Sequence, residues 1–312
     1  MTELTVGYRP PHELFEAADG RLARIVHRAE RAGIDRICVG DHVTFHGGRG
    51  FDGLVHATAV AALTERATVQ TAVYLLPLRH PVPVARQVAS LAALAPGRFS
   101  FGVGLGGDDR AEVAACGVDP ATRGRRMDES LAVVRALLGG RAVTRTGGFF
   151  ALDGVRVLPA PRPPVPIVVG GRSPAALHRA GTLGDGWLGV WVTPERWAEA
   201  VATVEQAALD GGRGGAPRWH GLQCWCGFGA TYDAARGAVA AAMEGLYRVP
   251  FERFERYVPL GAPADVAAAL APYVAAGCRH VNIVPVAPTV EESVDHVAEL
   301  QSLLATTAES VI

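Results

Sequence analysis

The strongest constraint on this chain is an alternation. Apolar runs of strand length take turns with amphipathic stretches of helix length along almost the whole sequence. Eight runs read as strands, at residues 4–8, 36–40, 69–76, 99–105, 167–170, 187–192, 222–227 and 280–286. Helices are predicted at 22–32, 52–65, 84–95, 174–182, 195–209, 233–247, 265–276 and 290–304. The first of these places Leu22, Ile25, Val26 and Ala29 on one face. Between strands four and five lies an insert, read as a short helix at 112–116, a full helix at 128–138 and a hairpin at 142–158 around Gly147-Gly148. The strands are almost continuously apolar, as parallel strands buried on both faces must be. Eight such βα units predict an α/β fold, a (β/α)8 TIM barrel with an insert after strand four, in a single domain over 1–312. A dinucleotide-binding sheet with a second domain is the competing architecture.

That competitor has a motif in its favour. Gly102-Val103-Gly104-Leu105-Gly106-Gly107 satisfies G-x-G-x-x-G after a strand. The full fingerprint also needs a helix and then a strand ending in an acid. Here residues 120–128 are polar and lead into another helix. The motif reads instead as a glycine-rich end of strand four, where Gly104 and Gly106 let a ligand ring approach the backbone.

Composition narrows the function. Hydrophobic residues make up 49% and aromatics 7%, so the core is built mainly of Ala, Val and Leu. A net charge of −1 offers no bulk field for nucleic acid or an anionic membrane. Met1-Thr2-Glu3-Leu4 has neither the basic nor the apolar region of a secretion signal, and no apolar run reaches about 18 residues. A cytoplasmic protein is therefore expected. All 30 basic residues are arginine, which excludes Schiff-base chemistry and a Walker lysine. The five cysteines, Cys38, Cys116, Cys224, Cys226 and Cys278, are scattered and odd in number, and read as buried thiols rather than a disulfide framework.

In barrels, chemistry collects where strands end. Strand two ends in Asp41-His42, with His46 beyond. The pair reads either as an acid/base unit or as a structural cap. A metallohydrolase reading of Asp41, His42 and His46 lacks an H-x-H at strand one and a bridging lysine, so no metal is expected. Strand five ends in Gly170-Gly171-Arg172-Ser173-Pro174. Glycine N–H groups, a helix dipole, the Ser173 hydroxyl and Arg172 compose an anion site, or else an ordinary N-cap. Trp191, at the end of strand six, is either a substrate wall or core packing.

An ordered set of stretches resembles the luciferase-like monooxygenase superfamily of flavin- and deazaflavin-dependent barrels. They are Gly40-Asp41-His42, Leu76-Pro77-Leu78-Arg79-His80-Pro81, Pro96-Gly97-Arg98-Phe99, Arg123-Gly124-Arg125-Arg126-Met127-Asp128-Glu129, and Pro166-Ile167-Val168-Val169-Gly170-Gly171 with Ser173-Pro174. Gly184-Asp185-Gly186-Trp187 and Gly261-Ala262-Pro263 complete the set, over roughly residues 4 to 305. The resemblance implies a cofactor ring at the barrel mouth and a non-proline cis peptide among Ala72, Val73 and Tyr74. It also implies a cofactor phosphate on Gly170, Gly171, Arg172 and Ser173, ring contacts from Asp41 and His42, and proton transfer assisted by His42. Coenzyme F420 is the implied cofactor. FMN is the alternative, with oxygen and a partner flavin reductase, and a cofactor-binding protein without turnover is a third reading. A homodimer acting on a small-molecule substrate is expected, with Gly47-Gly48-Arg49-Gly50 and residues 106–126 as lids. One departure stands out. The sugar-phosphate dehydrogenase branch carries Glu directly after the strand-four glycines, whereas this chain has Leu105, with Asp108 and Asp109 further on.

Overall fold

The computed structural model describes residues 4–16, 19–106 and 109–310. Its elements begin with β1 (Thr5–Tyr8), α1 (Glu13–Glu16), α2 (Arg21–Arg31), β2 (Arg36–Val39), α3 (Phe45–Gly48) and α4 (Gly53–Leu63). Then come β3 (Thr68–Thr71), β4 (Tyr74–Leu75), α5 (Pro81–Leu94), β5 (Phe99–Gly104), α6 (Arg110–Ala115) and α7 (Arg123–Leu138). The hairpin β6 (Val143–Arg145) and β7 (Leu152–Val155) leads to β8 (Ile167–Gly170), α8 (Pro174–Leu183), β9 (Gly186–Gly189) and α9 (Pro194–Asp210). Finally come β10 (Gly221–Phe228), α10 (Tyr232–Tyr247), β11 (Leu260–Gly261), α11 (Pro263–Ala275), β12 (His280–Val286) and α12 (Val290–Ser310). The parallel strands form a closed TIM barrel in the order β1-β2-β3-β5-β8-β9-β10-β12, with β12 pairing back onto β1.

The chain divides into two compact units, Met1–Cys38 with Leu188–Ala202 and Trp219–Ile312, and Val39–Trp187 with Thr203–Arg218. In the first, β12 and β10 pair over seven positions, and Trp225, Val239, Met243, Phe251, Val258 and Val284 form a buried cluster. In the second, every residue of β5 is buried, which explains its unbroken apolar sequence. Leu75, Leu78, Val113 and Val118 pack together there and anchor the start of the insert.

Helix starts follow local chemistry. Asp52 caps α4 through Leu54 and Val55 N–H, and Thr231 caps α10 through Ala234 N–H. Proline stands first in α5, α8 and α11, where its missing N–H costs nothing.

Three predicted boundaries need correction. The third run, read as one strand over 69–76, breaks into β3 and β4 around a cis Ala72–Val73 peptide. The sixth strand stops at Gly189, and Trp191 takes a left-handed backbone at φ 54°, which no strand accommodates. The insert helix starts at Arg123 rather than 128, because Arg is a good helix former and polarity alone does not end a helix.

Candidate active site

The polar groups of the second unit gather where β2, β4, β5 and β8 end. Asp41, one residue past Gly40, has a side chain with no solvent exposure. Its Oδ1 accepts from Gly53 N–H at 2.8 Å and Arg79 Nη2 at 2.8 Å. Its Oδ2 accepts from Leu75 N–H at 2.8 Å and Arg79 Nη1 at 2.6 Å. Burial pushes the Asp41 carboxyl above its usual value, against the pull of Arg79 and the two N–H groups. Four donors on two oxygens leave no lone pair to face a proton, so the geometry is that of an ionised carboxylate. Arg79 also reaches Asp52 at 3.2 Å and lies 4.4 Å over the Tyr74 ring. Asp41 thereby ties the end of β2 to β4 and to the start of α4.

His42 follows directly. Its Nδ1 lies 3.1 Å from Glu112 Oε2 on α6. The Glu112 side chain is 1% exposed against 31% for His42. Glu112 Oε1 also accepts from Val43 N–H at 2.6 Å and Thr44 N–H at 3.1 Å. Burial alone would raise the Glu112 carboxyl; the His42 contact and the two N–H groups outweigh it and hold the carboxyl below its usual value. A carboxylate on Nδ1 selects the Nδ1–H tautomer and leaves Nε2 as the atom able to exchange a proton. Phe45 stacks on the His42 ring at 4.0 Å and sets its plane, while the His42 backbone N–H donates to Phe51 O at 3.1 Å and anchors the residue. Asp109 caps α6, so the helix that delivers Glu112 is itself anchored; Asp109 also accepts from His46 N–H at 2.8 Å.

The glycines at the strand ends face protein, not open space. A Cβ on Gly104 would meet Val73 Cγ2 at 2.5 Å, and one on Gly170 would meet Val73 Cγ1 at 3.1 Å. A Cβ on Gly102 would run into the Thr71 carbonyl, and Gly106 (φ 64°) lies against Leu75. Gly104 and Gly106 thus leave room for the Val73 and Leu75 side chains, a packing role that stands beside the one expected of them in ring approach. Tyr74 is buried, half under Arg79, and Ala72 donates its N–H to Val39 O at 2.7 Å.

At the end of β8, Ser173 Oγ accepts from Ala176 N–H at 3.2 Å, while Ser173 and Arg172 stay exposed at the start of α8. Trp187 Nε1–H donates to Gly171 O at 2.7 Å and pins the turn. Gly171 has φ 123°, and Ala176 stands 2.8 Å from where its Cβ would be. In the first unit, Trp191 is half-buried against Phe254, at 4.7 Å, and Tyr247, at 5.9 Å.

The sequence reading did not single out Glu112 or give Arg79 a role. Glu112 stands three residues after the Asp109 cap, a spacing that reads only as a helix start. Gly107 and Asp108, in the predicted lid, lie outside the described residues. A cavity of about 630 Å³ lined by Ala89, Ala92, Pro96, Gly139 and Leu158 sits at the C-terminal ends of α5 and α7, away from His42. The five cysteines are free thiols, and burial pushes Cys38 and Cys278 up to about 12. Among the described residues no cluster of His, Cys, Asp or Glu could hold a metal, and no helix is long and apolar enough to cross a membrane.

A parallel barrel with its polar groups at the strand C-terminal ends defines the class. The chain belongs to the luciferase-like monooxygenase family, whose model matches residues 10–306. An F420-dependent glucose-6-phosphate dehydrogenase of Beutenbergia cavernae is 35% identical over 190 residues, 59% of this chain and 56% of that protein. The chain therefore spans little more than half the length of such relatives. An F420-dependent secondary alcohol dehydrogenase, solved with an F420–acetone adduct, superposes with TM-score 0.84 at 21% identity, over 97% of this chain and 99% of that one. The FMN-bound oxygenating constituent of 3,6-diketocamphane monooxygenase from Pseudomonas putida superposes with TM-score 0.77 at 15% identity, over 98% of each chain.

Proposed function

We propose that this protein is an F420-dependent oxidoreductase that moves a hydride between the deazaflavin and a small organic molecule. The observation that carries the reading is the His42–Glu112 pair, a half-exposed imidazole whose Nδ1 is held 3.1 Å from a buried carboxylate. The relatives named F420-dependent dehydrogenases support the choice of cofactor.

The residues fit such a group. Ser173 accepts Ala176 N–H with a lone pair, so its O–H is available to donate to a phosphate beside the exposed Arg172 at the positive end of α8. Gly170, Gly171, Arg172 and Ser173 would hold that phosphate. Ala72, Val73 and Tyr74 would back the ring, with Gly104 and Gly106 shaping the strand end behind Val73 and Leu75. Asp41 acts through its neighbours, by holding Leu75, Gly53 and Arg79 in place. When bound, F420 supplies two-electron hydride chemistry. His42 Nε2 then gives or takes the substrate proton, and Glu112 stabilises the imidazolium while that proton resides there. The protein works as a cytoplasmic homodimer in this reading.

Titration of the purified protein with F420 and with FMN, followed by fluorescence and heat, tests the proposal. Tighter F420 binding, with turnover that collapses in His42→Ala while affinity stays, supports it. Preference for FMN moves the reading to a monooxygenase fed by a flavin reductase, and binding of neither overturns both. F420 binding without turnover of sugar phosphates, secondary alcohols or other donors leaves a cofactor-binding protein.

A further inference from the structure

Arg9 carries a charge that the first unit buries and does not answer. It follows β1, and its backbone N–H donates to Ile283 O at 3.0 Å, so it continues the ladder onto β12. Tyr8 faces the helix layer, its hydroxyl 3.0 Å from Ser293 on α12. Gly7 faces the other way, where a Cβ would meet Asn282 and the Cys38 thiol. Alternation along a strand turns the Arg9 side chain to the same inner side as Gly7. The groups that act on its charge are the Tyr247 hydroxyl and that Cys38 thiol, and burial lowers the guanidinium below its usual range.

Other buried arginines are given acceptors. In the same unit Arg36 donates to Asn282 Oδ1 at 3.2 Å and to Thr5 Oγ1 at 3.1 Å. In the second unit Arg79 holds Asp41 at 2.6 Å and Arg179 holds Asp128 at 2.5 Å. Among the described residues no group accepts a hydrogen bond from the Arg9 guanidinium, and no carboxylate pairs with it. A desolvated cation without a counter-ion is destabilising, so a fold that keeps one points to an anion from outside the chain. Arg9 is only half-buried, so such an anion can reach it.

The neighbouring side chains describe that anion. Tyr247 Oη accepts from Trp225 Nε1–H at 3.2 Å, and its ring stands edge-on to Trp225 at 6.0 Å and to Trp191 at 5.9 Å. Phe254 lies 4.7 Å from Trp191 and 5.4 Å from Tyr247. Trp225 is buried and the other three rings are half-buried. One cation thus borders a cluster of four aromatic rings, all within the first unit. A single guanidinium balances one negative charge, and its fork fits the two oxygens of a carboxylate. A phosphate dianion would leave charge uncompensated beside apolar rings. Aromatic edges and faces pack best against a flat apolar body. We propose that Arg9 and this aromatic cluster form a binding site for an organic monocarboxylate with a flat, aromatic body. The site is built within one unit and its test requires no cofactor, so it stands or falls apart from the F420 reading.

Benzoate and its neutral analogue benzamide are the probes, titrated into the wild-type protein and into Arg9→Met, with tryptophan fluorescence and the urea midpoint as readouts. Benzoate should quench saturably and bind the wild type at least about tenfold tighter than benzamide. Arg9→Met should bring benzoate down to the level of benzamide, yet unfold at an equal or higher urea concentration, since an unanswered buried charge is removed and no internal hydrogen bond is lost. Benzoate should raise the wild-type midpoint and leave that of the variant unmoved. Equal binding of the two probes by the wild type, or binding of neither, overturns the site. Undiminished benzoate binding by Arg9→Met shows an adventitious contact only and overturns it as well. A variant markedly less stable than the wild type does the same, because Arg9 would then be serving an internal partner.

Discussion

Gly104 separates two accounts of the glycines at the strand ends. If Gly104 is small because Val73 fills its place, Gly104→Ala drives a methyl group to 2.5 Å from Val73 Cγ2. Overpacking of this kind costs about 1–3 kcal/mol. Val73→Ala removes the opposing methyls, losing part of a half-buried side chain's burial, about 1–2 kcal/mol. In the double variant the two alanines face each other without conflict, so its loss should be smaller than the sum of the single losses by about 1 kcal/mol or more. Urea denaturation of all four proteins, followed by circular dichroism, measures the cycle. F420 affinity of each folded variant is read alongside. Additivity within about 0.5 kcal/mol would refute the packing account. So would a Gly104→Ala variant of unchanged stability that loses cofactor binding, since that is what a glycine serving ligand approach requires.

Asp41→Asn keeps the shape but turns one oxygen into an amide facing donors and strips Arg79 of its buried partner; a loss of about 3–5 kcal/mol is expected in urea unfolding, and under about 1 kcal/mol would make Asp52 the true anchor of Arg79. Glu112→Gln should lower turnover at least tenfold without weakening F420, and unchanged turnover would remove Glu112 from the proton path. Burial, with Arg36 and His220 adding, pushes His280 down to about 3. Its contribution to stability is complete above the unfolded value of about 6.5 and is lost as pH falls from there toward 3, at up to about 1.4 kcal/mol per pH unit. Urea midpoints at pH 7 and pH 5 should therefore diverge more for the wild type than for His280→Asn, and an identical pH response would exclude His280 as the acid-labile group. Arg172→Ala should weaken F420 and inorganic phosphate alike in competition titrations; a loss confined to the ring would detach the phosphate from the start of α8.

The eight βα units were legible because burial on both faces writes itself into consecutive residues: β8 and β12 fall at the predicted positions, and Ser173 with Pro174 announces α8. Asp41, His42 and the strand-five turn were legible for the same local reason, since each sits where a strand ends. What only the tertiary structure decided depends on pairs distant in sequence. Glu112 reaches His42 across 70 positions, and Arg79 reaches Asp41 across 38. Val73 sets the size of residues 104 and 170, and Arg126 meets Pro77 through a helix that polarity alone had hidden. Local sequence records which faces are buried and where the chain turns. Which charge meets which, and which side chain fills a neighbour's missing Cβ, is settled only when the strands close side by side and bring their ends together.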